Sequence, residues 1–172
     1  AEGDNGYAVD IKKLYDNVMN RYKYGGLDTP GLYLDETTLR TCYYNRRLFA
    51  QLAKELIKQG DHVRARKVLT YAEQAVPAYN VPEIYESGSF DIATAYAALG
   101  EKTKAVTLFN HLIAESEDYI NWAFSLGNGR TGMMQNDCLY KFWQWNAYNE
   151  RMKEIDKESY EASNRRFEEK YA

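Results

Sequence analysis

LAKELIKQGDHVRARKVLTYAEQAVP, running from Leu52 to Pro77, carries apolar residues at helical spacing on both sides of a single glycine. Within it Ala53, Leu56, Gly60, Ala65, Leu69, Ala72 and Pro77 stand at intervals of 3, 4, 5, 4, 3 and 5. Forty residues on, Ala93, Tyr96, Gly100, Ala105, Phe109 and Leu112 reproduce the intervals 3, 4, 5, 4 and 3, and the pairs Asp61/Glu101 and Arg64/Lys104 are alike. A fixed offset held over six positions is an internal repeat. Each copy reads as helix, tight glycine turn, helix, a unit that hides its apolar side only by stacking on a neighbour.

The residue types fit that reading. Alanine at 53, 65, 93 and 105 lets two antiparallel helices approach closely, while larger residues one turn away fill the space between units. Gly60 and Gly100 end the first helix of each pair, where a left-handed residue is needed. Pro77 stops the second helix of the first pair. The order small, aromatic, glycine, small, aromatic, small, proline resembles the tetratricopeptide repeat, whose usual period is about 34 residues. Here the period is stretched by PAYNVPEIYESG, Leu112 stands for a small residue and Glu117 for the proline. The alternative is an irregular helical bundle with two similar hairpins.

Working outward, Ile11, Leu14, Tyr15, Val18 and Tyr22 keep helical spacing up to Gly25-Gly26, which predicts a first helix over 9–23. GGLDTPGLYL reads as a surface loop, and Asp35 as the cap of a long helix ending near Gln59. After the repeats SEDYINWAFSL is a short aromatic connection, GNGRTG breaks the chain, and a capping helix restarts near Met133 with Phe142, Trp145, Met152 and Ile155 on one side. The expectation is therefore one all-α domain: a flexible start (1–8), an N-terminal helix and loop (9–34), two repeats (35–77 and 85–117), and a connecting segment with a capping helix (118–172).

Composition narrows the function. Apolar residues make up 45% of the 172, enough for a real core, and 22 basic against 25 acidic residues leave a net charge of −3. Such a balance gives no field that draws nucleic acid or an anionic membrane. No run of about 18 apolar residues is present, and AEGDNGYAVD has neither the basic start nor the apolar middle of a signal peptide. Any anchor is expected in a preceding segment. Cys42 and Cys138, the only cysteines, support no disulfide framework and no cysteine-rich zinc site; they either pair or stay free.

Few residues suggest chemistry. Gly127–Gly132 matches G-x-G-x-x-G, but without alternating strands and helices it reads as a loop between two helices, not a phosphate cradle. His62 and His111 lack a second ligand at i+3 or i+4 and read as surface residues, so no metal and no cofactor is expected. No triad order is recognisable and no carboxylate pair stands out, so no catalytic residue is assigned. Tyrosine is in excess, 16 residues, and with Trp122, Trp143 and Trp145 could line a groove for a sugar or an extended peptide. Tyr15, Tyr22, Tyr96 and Trp145 nevertheless fall on core stripes, which favours packing.

In stacked hairpins the first helices line the concave side. That face would carry Arg47, Ala50, Lys54, Ile57 and Lys58 in the first unit and Ser87, Phe90, Thr94, Ala97 and Ala98 in the second. The candidate peptide-binding residues are accordingly Arg47, Lys54, Lys58, Phe90 and Thr94, suited to an acidic tail or a terminal carboxylate. A solvated face is the competing reading.

Longer stretches carry a second likeness. LYDNVMNRYKYGG, YLDETTLR and NRRLFAQL, within a region from about Val9 to Leu126, resemble the C-terminal soluble part of a bacterial membrane family related to protein O-mannosyltransferases. That resemblance implies an N-terminal multispanning region with lipid-linked-sugar glycosyltransferase chemistry and a tetratricopeptide-like tail in the periplasm. It implies for this chain a non-catalytic accessory domain that positions an acceptor protein or partner, joined to the membrane only through spans outside it. The alternatives are a stand-alone cytoplasmic adaptor that binds a peptide tail, and a carbohydrate-active enzyme with two converging carboxylates.

Overall fold

The computed structural model describes residues 9–171, so the expected flexible start at 1–8 lies outside the described residues. Those residues form an all-α protein without a strand. Helix α1 (Ile11–Asp16) continues as a π-helical turn (Asn17–Arg21). Then come α2 (Glu36–Lys58), α3 (His62–Ala75), a 3-10 turn (Tyr85–Ser87) and α4 (Ser89–Ala98). Next are α5 (Lys102–Ser125), the short α6 (Asn128–Thr131), a second 3-10 turn (Gly132–Met134), α7 (Gln135–Ile155) and α8 (Lys157–Tyr171). The chain divides into two compact units, one ending at Leu99 and one beginning at Gly100.

Helix starts follow local side-chain chemistry. The carboxylates of Asp10, Asp35 and Asp61 accept from the amides of Lys13, Thr38 and Arg64 at 2.9, 2.9 and 3.0 Å, each satisfying a donor that the first turn leaves open. The two glycine turns share one backbone path. Gln59, Gly60 and Asp61 have φ of −82°, 77° and −85°; Leu99, Gly100 and Glu101 have −86°, 77° and −80°. Only glycine holds that left-handed value without steric cost.

In the first unit α2 packs against both α3 and α4. Phe49, Leu52, Ala53, Leu56, Ala65, Val68 and Leu69 are fully buried. In the second unit α5 packs against α7, and α7 against α8.

Two features differ from the expectation. Helix α5 runs 24 residues, straight through the stretch read as a connection, because no glycine or proline occurs from Lys102 to Leu126. Glu117, at the proline position, instead pairs with Arg166 at 3.2 Å and Lys170 at 2.9 Å on α8. The single capping helix is two helices, broken at Asp156, whose extended backbone (φ −149°, ψ 96°) ends α7. Its carboxylate accepts from the Ser159 hydroxyl at 2.6 Å and pairs with Lys102 at 3.1 Å. Helices α7 and α8 thus make a further hairpin, closed by the Trp145 indole N–H donating to the Ser163 hydroxyl at 3.0 Å.

Candidate functional site

The five residues expected on the concave face all lie in the first unit, on α2 and α4, but their charges are largely engaged by the chain itself. Arg47 is exposed and donates to the Glu86 carbonyl at 2.5 Å. Lys58 pairs at 2.7 Å with Glu55, a buried carboxylate whose other oxygen has no hydrogen-bond partner among the described residues. Lys54 is half-buried. On α4, half-buried Phe90 packs on Tyr85 with ring centroids 5.7 Å apart, and the Thr94 hydroxyl donates to the Phe90 carbonyl at 2.9 Å. Arg47 therefore meets the start of α4, while Lys54 and Lys58 extend the face two and three turns farther along α2. Ala50 and Ser87 are buried and do not belong to an open groove.

Two buried polar residues organise this unit. Arg46, 3% exposed, donates to the carbonyls of Val76, Val81 and Pro82 at 2.9, 2.7 and 2.7 Å and to the Ser87 hydroxyl at 3.0 Å. Burial pushes its pKa down, opposed by the nearby Glu83 charge. Asn80 holds the other loop: its Nδ2 donates to the carbonyls of Leu27 and Thr29 at 2.7 and 2.6 Å, and its Oδ1 accepts from the amides of Gly31 and Leu32 at 3.2 and 3.3 Å. PAYNVPEIYESG, read only as a spacer, is thus a fixed strap between α3 and α4.

A cleft of about 340 Å³ opens where α1 ends, lined by the segment 19–28 without Arg21 and by Tyr71, Gln74 and Ala75 of α3. The π-helical turn bonds the Tyr22 amide to the Asn17 carbonyl at 2.8 Å, and the carbonyl of Val18 takes the Tyr24 hydroxyl at 2.8 Å. Tyr24, Phe49 and Tyr71 form a ring cluster with centroids 5.5 to 6.1 Å apart. Burial raises the Tyr24 pKa, with the neighbouring tyrosines adding to the shift. Tyr22, expected on the core stripe, is 42% exposed on this cleft. Tyr22 follows the π turn with extended backbone (φ −67°, ψ 143°), which takes it out of the helix and off its apolar stripe.

The remaining motifs find ordinary places. Gly127–Gly132 links α5 to α7 through α6 and a 3-10 turn. Cys42 and Cys138 are both free and buried, and burial raises both thiol pKa values. His62 and His111 are exposed, and no group of three or more histidine, cysteine or carboxylate side chains gathers among the described residues. Tyr96 and Trp145 are core residues, whereas Trp122 and Trp143 are half-exposed. No helix among the described residues is long and apolar enough to cross a membrane. Comparison of the chain with protein-family models, with curated proteins and with solved structures gives no match in any of the three.

Proposed function

We propose that this chain is a non-catalytic tetratricopeptide-like module that holds an acceptor protein or a partner subunit in place. In this reading it is the soluble, periplasmic part of a longer membrane protein related to the protein O-mannosyltransferases. The observation that carries the repeat is the pair of turns at Gly60 and Gly100, with the same φ of 77° in the same backbone setting. Ala53, Leu56, Ala65, Leu69 and Ala72, and their counterparts Ala93, Tyr96, Ala105, Phe109 and Leu112, are all buried. Modules of this kind take extended segments along the face made by their first helices.

Here that face pairs a basic row on α2 with the Phe90 and Thr94 row on α4. With all three basic residues of that row engaged by the chain, a partner bearing an apolar anchor beside an acidic group suits it better than a purely anionic tail. The membrane-family part of the proposal rests on LYDNVMNRYKYGG, YLDETTLR and NRRLFAQL.

The test is deletion of this segment from the longer protein under conditions where the membrane part stays folded. Acceptor glycosylation should fall. Unchanged glycosylation of every acceptor overturns the role. If glycosylation falls, the double variant Lys54→Glu, Phe90→Ala should reproduce the loss while keeping the helical circular dichroism of the parent.

A further inference from the structure

We propose that the cleft at the end of α1 is a sugar-binding site, taking a pyranose against Tyr22 and hydrogen-bonding its hydroxyls through Asn20, Lys23, Asp28 and Gln74. The proposal stands on the first unit alone and is independent of the partner-holding role.

The cleft is built and held before any ligand arrives. Tyr24 ties its own turn to Val18, Asn80 fixes the carbonyls of Leu27 and Thr29, and the Tyr79 hydroxyl donates to the Asp28 carbonyl at 2.8 Å. Tyr24 and Tyr71 of its lining pack on the fully buried Phe49. A site already ordered loses little freedom on binding. Met19 and Asn20 reach the lining from the π-helical turn, a rare geometry that occurs frequently at functional sites.

The lining chemistry selects the ligand. Lys23 and Asp28 are opposite charges on the same cleft, so a phosphate or carboxylate gains no surplus of positive charge there. Neither side-chain charge has an ion-pair partner among the described residues. Asn20 uses one end of its amide on Asp16, its Nδ2 donating at 3.1 Å, which leaves Oδ1 for another donor. Gln74 is exposed and offers both ends of its amide. Hydroxyl groups donate and accept at once, and a mixed set of amides, ammonium and carboxylate matches that dual character. Tyr22 supplies an exposed ring for the apolar C–H face of a sugar. The volume of about 340 Å³ lies at the small end of ligand sites.

The experiment follows backbone amides of Gly25 and Gly26 and the side-chain amides of Asn20 and Gln74 by nitrogen-15 NMR. The chain is titrated separately with glucose, mannose, N-acetylglucosamine and inorganic phosphate. At least one sugar should give saturable shifts at these amides, and Tyr22→Ala and Gln74→Ala should each weaken it about tenfold. Tyr33→Ala, 92% exposed and not part of the lining, should leave it unchanged. The absence of saturation with all three sugars overturns the proposal. So does phosphate moving the same amides more strongly than any sugar, or equal binding by all three variants.

Discussion

The guanidinium of Arg46 on α2 donates to the hydroxyl of Ser87 at 3.0 Å, 41 residues along the chain. The same side chain closes the carbonyls of Val76, Val81 and Pro82. Arg46→Met would remove the donor from the buried carbonyls of Val76 and Val81 and the part-buried one of Pro82, while the Ser87 hydroxyl keeps the Ile84 amide, and should cost about 3 kcal/mol. Arg46→Lys should recover only part of this, because an ammonium cannot span the same fork. Urea unfolding checks both values, and a loss under about 0.5 kcal/mol would show that the strap is held by other contacts.

Asn80 is the counterpart on the other side of the strap. Asn80→Ala should cost about 2 kcal/mol and speed hydrogen exchange at the amides of Gly31 and Leu32. Asn80→Asp should be no better, since it replaces the Nδ2 donor with a negative oxygen facing the carbonyls of Leu27 and Thr29.

An alanine at Gly60 or Gly100 meets no atom within 4 Å, so each substitution isolates the backbone cost of a left-handed residue. Both should destabilise by about 1–2 kcal/mol, and by equal amounts, because the φ values agree. Gly88→Ala should cost more. There the φ is 82° and a Cβ would sit 2.8 Å from the Arg47 Cγ and 3.2 Å from its Cα. Denaturation followed by circular dichroism ranks the three.

Asp35, Asp61 and Asp156 titrate below the ordinary aspartate value of 3.8, held down first by hydrogen bonds from Thr38, Arg64 and Ser159 respectively. A carboxylate with a lower pKa in the folded chain supports folding at pH above 3.8, and that support fades as pH falls through its folded value. Unfolding midpoints should therefore carry no change from these groups between about pH 7 and 5, then drop below about pH 4. Asp61→Asn keeps the cap acceptor but removes one titration, so its acid drop should be shallower.

The helices of the two repeats were legible because each glycine turn is written locally, in the intervals around Gly60 and Gly100. The break at Asp156 was not, since it uses an aspartate cap without a glycine, and the apolar positions of α7 hide it. Arg46 stands four residues after Cys42 and three before Phe49, on the apolar face of α2, and that register was the available signal. Its partners sit 30 to 41 residues away in an irregular strap, which no local pattern announces. The spacing from Ile11 to Tyr22 predicts a helix over 9–23, whereas the helical residues run from 11 to 21, the last five as a π turn, and Tyr22 beyond them is extended and off the stripe. The cleft lies where that helix ends and could not be read from helical periodicity. Of the candidate face, Arg47, Lys54 and Lys58 lie on α2 and Phe90 and Thr94 on α4, while Ser87 lies in the 3-10 turn; the engagement of Arg47 by Glu86 depends on the strap and was invisible for the same reason.

All three tryptophans, at 122, 143 and 145, lie after Gly100, and none lies before Leu99. Indole emission is thus a private reporter for one half of the chain, with Trp145 as its sealed probe and the other two as solvent-facing ones. Melting watched by fluorescence and by far-ultraviolet ellipticity in the same cuvette separates cooperative collapse of the whole chain from sequential loss of its halves.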